Sequence, residues 1–436
     1  MPNQPRLRAL GRSVCSVPFV CALLSLPVAA AAAEAPASQR VTLADALTLI
    51  ERQNPDTLAA RLRIAQAEAE RLAARCLANP TLSVVVNNLP SGRTNPPGLS
   101  VGQTIGGTVR LDQPVVLWGK RHLRLQGAEA GVAAAQALER DTVRLLRAAV
   151  KDAFYGVLHD QKMLEFTMAN RERYQRIVAL NERRFRGGDL AEVDFRKVEL
   201  ENLKRLSEEE AAHLALAERR RLLGRLIGTA QGVDAVGSLT APAVYTAGEP
   251  ALRLAMANRP DLAAAQHVRE QALLALDLSR RERYPDVTVG LDYTHSEFAT
   301  AGNIRNTVGI GLSVPVPLLN RNEGEIAKAE VALRQADIDL TRVRLDIAQE
   351  VRKAVERCHS AGRLLQTFES GYLDHAKVAV DAAEKAYRIG AASLLDLLDA
   401  ERTYASTQGD YLDTLFSARA SLDALERATG VDVSSE

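Results

Sequence analysis

The sequence predicts a mixed fold in which long antiparallel helical hairpins are joined to a few β-strands. Three observations predict it. Runs of about 65 residues contain no proline and are rich in Ala, Leu, Arg and Glu. Short stretches between these runs alternate apolar and polar residues, which is the period of a strand with two different faces. Finally, landmarks in the first half of the chain return in the second half, which indicates a tandem duplication.

Composition places the chain among folded proteins. Of its 436 residues, 47% are apolar, 25% are charged and only 4% are aromatic. The 55 Lys and Arg residues nearly balance the 54 Asp and Glu residues. Because a nucleic-acid-binding domain normally carries a basic excess, we expect no nucleic-acid partner.

Residues 1–33 are predicted to form a secretory signal peptide. "MPNQPRLRALGRS" supplies three arginines, and the apolar stretch that follows ends in small residues. The alternative is a first transmembrane helix, but Pro18 and Pro27 interrupt the stretch. The mature chain retains two cysteines, Cys76 and Cys358, whose pairing the sequence leaves open. The protein is therefore predicted to be exported.

Matched landmarks place the two copies. The copies are predicted to cover residues 34–228 and 249–430, separated by a linker at 229–248 and followed by a tail at 431–436. Five anchors keep the same order in both copies, so chance similarity does not explain them. The anchors pair as Pro55 with Pro260, Pro80 with Pro285, Pro114 with Pro315, Gly188 with Gly390 and Gly228 with Gly430.

Each copy is predicted to begin with a helix, at about Leu43 to Leu77 and about 249–283. The very long helices run from about Lys120 to Phe185 and from about Asn322 to Tyr387. A helix of this length spans roughly 100 Å and persists only by packing along neighbours. The last helix shows coiled-coil spacing. Its seam positions are Tyr404, Gln408, Tyr411, Leu415, Ala418, Leu422 and Leu425.

Four strands are predicted, two per copy. Their ranges are about 81–90, 107–117, 286–296 and 306–317. In "TVGIGLSVPVP" the residues Val308, Ile310 and Leu312 alternate with glycine and serine. A soluble sheet beside coiled coils would show the same alternation, so that alternative stays open at this point.

Four strands cannot satisfy the backbone of a sheet in lipid, where only a closed barrel leaves no unpaired edge. Single-chain bacterial barrels start at eight strands, so other copies of the chain must complete the wall. Two, three or four copies would give barrels of 8, 12 or 16 strands. Trp118 and Tyr284 flank the strands where an interfacial aromatic girdle would lie; ordinary core packing is the alternative.

Catalytic and metal-binding motifs do not stand out. The seven histidines are scattered, and the adjacent Cys358 and His359 point apart on a helix. We expect no enzyme activity, no metal site and no cofactor. Two other classes remain: an exported enzyme, disfavoured by the lack of convergent polar residues, and a periplasmic coiled-coil adaptor or scaffold without a pore. The scaffold class would not explain two amphipathic strand hairpins at equivalent places.

From about Val41 to Gly430 the chain resembles the TolC-type outer-membrane efflux channels, and specifically their heavy-metal (cobalt–zinc–cadmium) branch. "QPVVLWGKR" resembles the way that this branch enters its long helix. "DAAEKAYRIG" followed by "LLDLLDAERTY" resembles the second hairpin tip of the family.

The resemblance implies a homotrimer whose 12-stranded transmembrane β-barrel continues into an α-helical barrel across the periplasm. It also implies a location in the bacterial outer membrane, in contact with its lipid. The expected function is a passive exit duct for heavy-metal cations or small toxic solutes. These would be supplied by a periplasmic adaptor protein and a proton-driven inner-membrane pump. The sequence identifies neither the solute nor the cognate pump.

By resemblance, Asp381 matches an acidic residue that lines the closed periplasmic entrance, with Glu384 one turn later. The alternative is that Asp381 is an ordinary solvated residue. The glycine-containing turns of both hairpins would dock the adaptor, or would simply reverse the chain. The residues at these tips are Arg186, Gly187, Gly188, Asp189 and Leu190 in the first copy, and Arg388, Ile389, Gly390, Ala391 and Ala392 in the second.

Overall fold

The computed structural model describes residues 39–94, 97–241, 248–297 and 304–431. The predicted signal peptide lies outside the described residues, as do the linker segment 242–247, the loop segment 298–303 and the tail from 432 onward. Within the described ranges, the two copies have the same order of long helices and strands.

The first copy and the predicted linker after it contain five helices and four strands among the described residues up to 241, with the last strand in the linker. In chain order they are β1 (Gln39–Val41), α1 (Leu43–Gln53), α2 (Pro55–Arg75), β2 (Thr81–Asn87), α3 (Val101–Thr104), β3 (Gly106–Val115), α4 (Lys120–Arg186), α5 (Glu192–Ile227) and β4 (Val233–Ala235).

The second copy repeats the larger elements. They are α6 (Gly248–Asn258), α7 (Pro260–Glu282), β5 (Val287–Ser296), β6 (Asn306–Ser313), α8 (Glu323–Thr367), a π-helical turn (Phe368–Tyr372), α9 (Leu373–Arg388) and α10 (Leu394–Thr429).

The prediction of one opening helix per copy was wrong, because each is two helices divided before a proline. Asn54 ends α1, and its side-chain oxygen accepts a hydrogen bond from the backbone N–H of Asp56 at 2.8 Å. Pro55 then fills the first helical position of α2, where no N–H is needed. Arg259 and Pro260 divide α6 from α7 in the same way. The residue before a proline avoids the helical region, which explains both breaks.

The first long helix was predicted correctly, since α4 runs without interruption for 67 residues. The second prediction was wrong in one respect. The helix expected from Asn322 to Tyr387 is broken at Phe368–Tyr372, where Gly371 has φ 112°. A glycine accepts this left-handed backbone without the steric cost that other residues incur. The two hairpins therefore differ in the middle of their incoming helices.

Two sheets are present among the described residues. The larger has the strand order β2-β3-β5-β6, and all three pairings are antiparallel. The smaller, which the sequence did not reveal, pairs β1 with β4 in parallel. Its strands are three residues each, too short to show a period.

Packing is divided among several clusters instead of one core. The first copy buries Ile50, Val150 and Leu223 where α1, α4 and α5 meet the small sheet. The second copy buries Ile347 and Leu425 in the equivalent place. Beside the large sheet the helices lie in the order α2, α4, α7, α8, as their contacts show. The α2 and α8 helices are thus the two outer members of this layer.

Candidate functional site

The large sheet has one polar and one apolar face. Register places the residues Thr108, Arg110 and Asp112 of β3 opposite Thr294, Asp292 and Gly290 of β5. The polar face continues on the outer strands. Its further members are Thr81, Ser83, Val85, Asn87, Gly106, Pro114, Thr288, Ser296, Thr307, Gly309, Gly311 and Ser313. Only Val85 and Pro114 among them are apolar.

The opposite face is apolar over the middle of the sheet and is exposed. On β6, Val308 is 72% exposed, Ile310 80% and Leu312 73%. A contiguous exposed apolar surface of this kind marks a contact with protein or lipid. The other apolar members of this face are Leu82, Val84, Val86, Val109, Leu111, Val115, Val287, Val289, Leu291 and Tyr293.

Sheet and helices share the same two open sides. Among the described residues, β2 and β6 each pair on one side only. The α2 helix leads into β2, and α8 follows β6. Both helices carry an exposed apolar stripe at coiled-coil spacing, in addition to the stripe that packs inward. The stripes are Leu58, Leu62, Ala65, Ala69 and Leu72 on α2, and Ala327, Val331, Ile338 and Leu345 on α8.

The predicted interface aromatics meet at the junction between sheet and helices. The ring centroids of Trp118 and Tyr284 are 5.4 Å apart. The indole N–H of Trp118 donates to the carbonyl of Pro285 at 2.9 Å. Buried Lys120 donates through Nζ to the carbonyl of Tyr284 at 2.6 Å and to Asp286 at 2.9 Å. These bonds fix the strand-to-helix connections of the two copies against each other.

Both predicted hairpin tips are tight turns after a helix end. Gly188 has φ 83° and Gly390 has φ 79°. The backbone N–H of Asp189 donates to the carbonyl of Arg184, and that of Ala391 donates to the carbonyl of Ala386, each at 2.8 Å. The remaining predicted tip residues follow this geometry. Arg186 is the last residue of α4, and Gly187 follows it. Leu190 packs against a buried apolar cluster that includes Ile177, Val198 and Leu397. Arg388 is the last residue of α9, Ile389 is 81% exposed, and Ala392 lies shortly before α10.

The two tips lie side by side, which sequence analysis did not predict. Arg184 donates to the carbonyl of Tyr387 at 3.2 Å, and its guanidinium lies 4.6 Å from the centre of that ring. The hydroxyl of Tyr387 donates to the side-chain oxygen of Asn181, and both residues are buried. A buried neutral hydrogen bond plus a cation–π contact ties the end of α4 to the end of α9.

Asp381 and Glu384 lie on α9, one turn apart. Glu384 accepts a hydrogen bond from Arg388 at 2.6 Å, so its charge is paired. Asp381 is half-buried and makes no hydrogen bond or ion pair with any residue that the structure describes. Of the two predicted gate residues, only Asp381 therefore lacks an ion-pair partner in the described part of the chain.

Sequence analysis also missed a buried polar layer above the tips. Glu401 is fully buried, and the nearest cation is Arg173 at 3.7 Å. Burial raises the pKa of Glu401 because the charged form loses hydration. Arg205 lies 4.9 Å from the ring centre of buried Tyr174 in the same layer. Only the coiled-coil spacing of the surrounding apolar residues could have indicated that these side chains point inward.

Within the described parts of the chain, the side chains form no metal-binding cluster and no disulfide. No group of three or more His, Cys, Asp or Glu side chains is placed to hold an ion there. Cys76 is exposed, Cys358 is buried, and both are free thiols. Among the described residues, none of the helices offers an apolar stretch long enough to cross a membrane.

Comparison with protein families gives one match that covers both copies. The outer membrane efflux protein family matches residues 46–229 and 251–431. The cobalt-zinc-cadmium resistance protein CzcC of Cupriavidus metallidurans is 28% identical over 395 residues, which cover 89% of this chain and 90% of that protein. The nickel and cobalt resistance protein CnrC of the same organism is 28% identical over 77% of this chain and 78% of its own.

Solved structures have the same fold at low sequence identity. The structure of CusC superposes with a TM-score of 0.75 at 17% identity and covers 89% of this chain and 92% of that one. The outer membrane protein VceC of Vibrio cholerae gives 0.75 at 19% identity, over 89% and 96%.

Proposed function

Because the chain belongs to the outer membrane efflux protein family, we propose that its copies assemble into a passive exit duct for heavy-metal cations. The family accounts for a channel in the bacterial outer membrane with long helices that reach into the periplasm. The observation that carries the assembly is the shared pair of open sides, β2 with α2 and β6 with α8. Identical copies placed side by side around an axis would cover both at once.

We propose three copies. Each chain has an even number of antiparallel strands. When β6 of one chain pairs with β2 of the next chain, strand direction therefore still alternates, and any number of chains can form a closed antiparallel barrel. A barrel of about eight strands is filled by its own side chains, which excludes two copies as a duct. Three copies give 12 strands and are the smallest number that leaves a lumen. This number agrees with the trimer implied by the resemblance to TolC-type channels.

In this arrangement the apolar face of the sheet contacts lipid, and the polar face lines water. Trp118 and Tyr284 lie at the end of the strands, where an aromatic girdle meets the membrane interface. A soluble scaffold would have no use for the exposed Val308, Ile310 and Leu312.

The cargo is proposed from the relatives. Two of the similar proteins are named for resistance to cobalt, zinc and cadmium, or to nickel and cobalt. The polar face carries more carboxylates than cations, which suits a cationic solute. Since the duct is passive, we propose that a proton-driven inner-membrane pump and a periplasmic adaptor deliver the cation. Exposed Ile389 and the flanking tip residues would dock the adaptor.

A deletion strain tests the proposed function. Loss of the gene should increase sensitivity to one or more of cobalt, zinc, cadmium and nickel, and plasmid-borne protein should restore tolerance. The same plasmid carrying Ile310→Asp, a substitution on the apolar face, should fail to restore tolerance, and the variant protein should not reach the outer membrane. Unchanged tolerance to every divalent cation would contradict the metal cargo.

A further inference from the structure

The middle of the polar face holds a fixed ion pair. Arg110 and Asp112 lie two residues apart on β3, so both side chains project from the same face. Nε of Arg110 donates to both carboxylate oxygens of Asp112, at 2.8 and 2.9 Å. A charge-assisted bond of this kind holds the guanidinium in one direction along the strand.

Two glycines make room for the guanidinium against the sheet. Gly290 of β5 lies opposite Asp112 of β3, and Gly311 of β6 lies opposite Gly290. A methyl group added at Gly290 would stand 2.5 Å from Nη2 of Arg110 and 2.6 Å from Oδ1 of Asp112. A methyl group at Gly311 would stand 3.4 Å from the same Nη2. The guanidinium therefore lies flat across two neighbouring strands, in the space where side chains would otherwise be.

A third charge beside this pair has no partner within the described part of the chain. Asp292 is directly opposite Arg110 in the register, yet Arg110 turns toward Asp112. The Asp292 carboxylate leans over Gly309, where an added methyl group would stand 2.8 Å from Oδ2. Among the residues described, Asp292 makes no hydrogen bond and no ion pair. The three side chains carry one uncompensated negative charge per copy.

We propose that this cluster sets the charge selectivity of the lumen. The Gly290–Gly311 floor holds Arg110 against the wall and in its pair with Asp112, while Asp292 presents the free charge that attracts cations. The inference rests on the proposed channel, since it needs the polar face to line water. Three copies place three unpaired Asp292 carboxylates at one level, and a pore lined by such a ring favours cations.

Reversal potentials across planar bilayers with a salt gradient test the assignment. Asp292→Asn removes the free charge, and we expect the cation-to-anion permeability ratio to fall by about two- to fivefold at 0.1 M salt. Arg110→Gln leaves Asp112 without its counter-charge and should raise the ratio. Thr307→Asn, on the same face without a charge change, is the matched control and should leave the ratio unaltered.

A further variant tests the glycine floor separately. Gly290→Ala displaces the guanidinium toward the axis without changing the formal charge of the chain. We expect lower single-channel conductance and a lower permeability ratio. In the double variant Gly290→Ala/Arg110→Gln no guanidinium is left to displace, so the conductance should return to the wild-type value and the ratio should equal that of Arg110→Gln alone.

The results separate the two proposals. Wild-type pores that conduct, together with an Asp292→Asn ratio equal to that of the wild type, would overturn the selectivity role and leave the channel intact. Normal conductance in Gly290→Ala would contradict the proposal that Gly290 holds the Arg110 guanidinium against the sheet. A wild-type protein that never conducts would overturn the proposed function, and this inference with it.

Discussion

At the scale of single residues, Asp423 on α10 has an unusual environment for a carboxylate. Its side chain is almost fully buried, and neither carboxylate oxygen has a hydrogen-bond partner among the described residues. Burial raises the pKa of Asp423 to about 6, against the opposing charges of Arg419 and Lys151. The nearby carboxylates of Glu426 and Asp152 also raise this pKa. The folded chain thus retains a proton that the unfolded chain would release.

This gives a pH-dependent stability with a definite sign. As pH rises from about 4 to 6, the unfolded chain releases this proton while the folded chain still binds it, so the free energy of unfolding falls through that window. Asp423→Asn should therefore increase the free energy of unfolding by about 2–3 kcal/mol at pH 8, with little change at pH 4. Urea unfolding followed by far-UV circular dichroism measures it. Asp410→Asn, on the exposed side of α10, is the control; equal midpoints for both variants at pH 8 would contradict the assignment.

The unpaired Asp381 carboxylate gives a prediction about the periplasmic mouth. If the side chains of three copies converge there, their negative charges attract cations and repel one another. Asp381→Ala should weaken block of the pore by divalent cations added from the helical side in planar bilayers. Asp381→Glu keeps the charge and should retain the block. Identical block in wild type and Asp381→Ala would contradict a role for Asp381 at the periplasmic mouth.

Trp118 is the only tryptophan in the chain, which makes it a reporter of its own location. If it lies at the membrane interface, lipids brominated near the headgroup should quench its fluorescence more than lipids brominated near the chain ends. Spectra of reconstituted protein give the comparison. A soluble quencher such as iodide serves as the opposite probe, and full iodide quenching with no bromine effect would place Trp118 away from lipid.

At the scale of elements, helix α4 and its counterpart differ at one glycine. Phe368, the first residue of the π-helical turn, packs against Tyr411, and Gly371 takes φ 112° within the same turn. Composition alone predicted a continuous helix here, because a glycine inside a helical pattern is tolerated and marks a break only once the backbone is known. Both proline breaks, before Pro55 and Pro260, follow from local sterics and could have been predicted.

A substitution pair tests the break. A methyl group at Gly371 would meet only His375, at 3.8 Å, so any cost of Gly371→Ala comes from its backbone. We expect a loss of about 1–2 kcal/mol in unfolding free energy. Gly409→Ala, inside α10 where a methyl group meets nothing within 4 Å, should instead add about 0.5–1 kcal/mol. Stabilisation by both substitutions would show that residue 371 accepts a regular helix.

At the scale of the whole molecule, periodicity predicted the strands, the polar and apolar faces and the tips. Their positions follow from alternating Val308, Ile310 and Leu312 and from glycines after helix ends. The side-by-side contact of Asn181 and Tyr387, and the fit of Arg110 over Gly290, could not be predicted in this way. Each contact joins the first and second repeats of the same chain, and the relative placement of the two repeats is known only from the fold.

Helices α2 and α8 make the open sides of the chain directly testable. Leu62 lies thirteen residues before the end of α2, and Ile338 lies fifteen residues after the start of α8. The two exposed positions are therefore at similar distances from the sheet, on opposite sides of the chain. In an assembled ring, Leu62 of one chain would lie near Ile338 of the next chain.

Oxidative cross-linking of Leu62→Cys/Ile338→Cys, in a chain with Cys76→Ser and Cys358→Ala, tests the shared wall most directly. Each single-cysteine chain is the control and should give no ladder. We predict covalent species of one, two and three chains on denaturing gels, with nothing larger. A product that remains a single chain, or a ladder that continues beyond three, would contradict the closed ring of three copies.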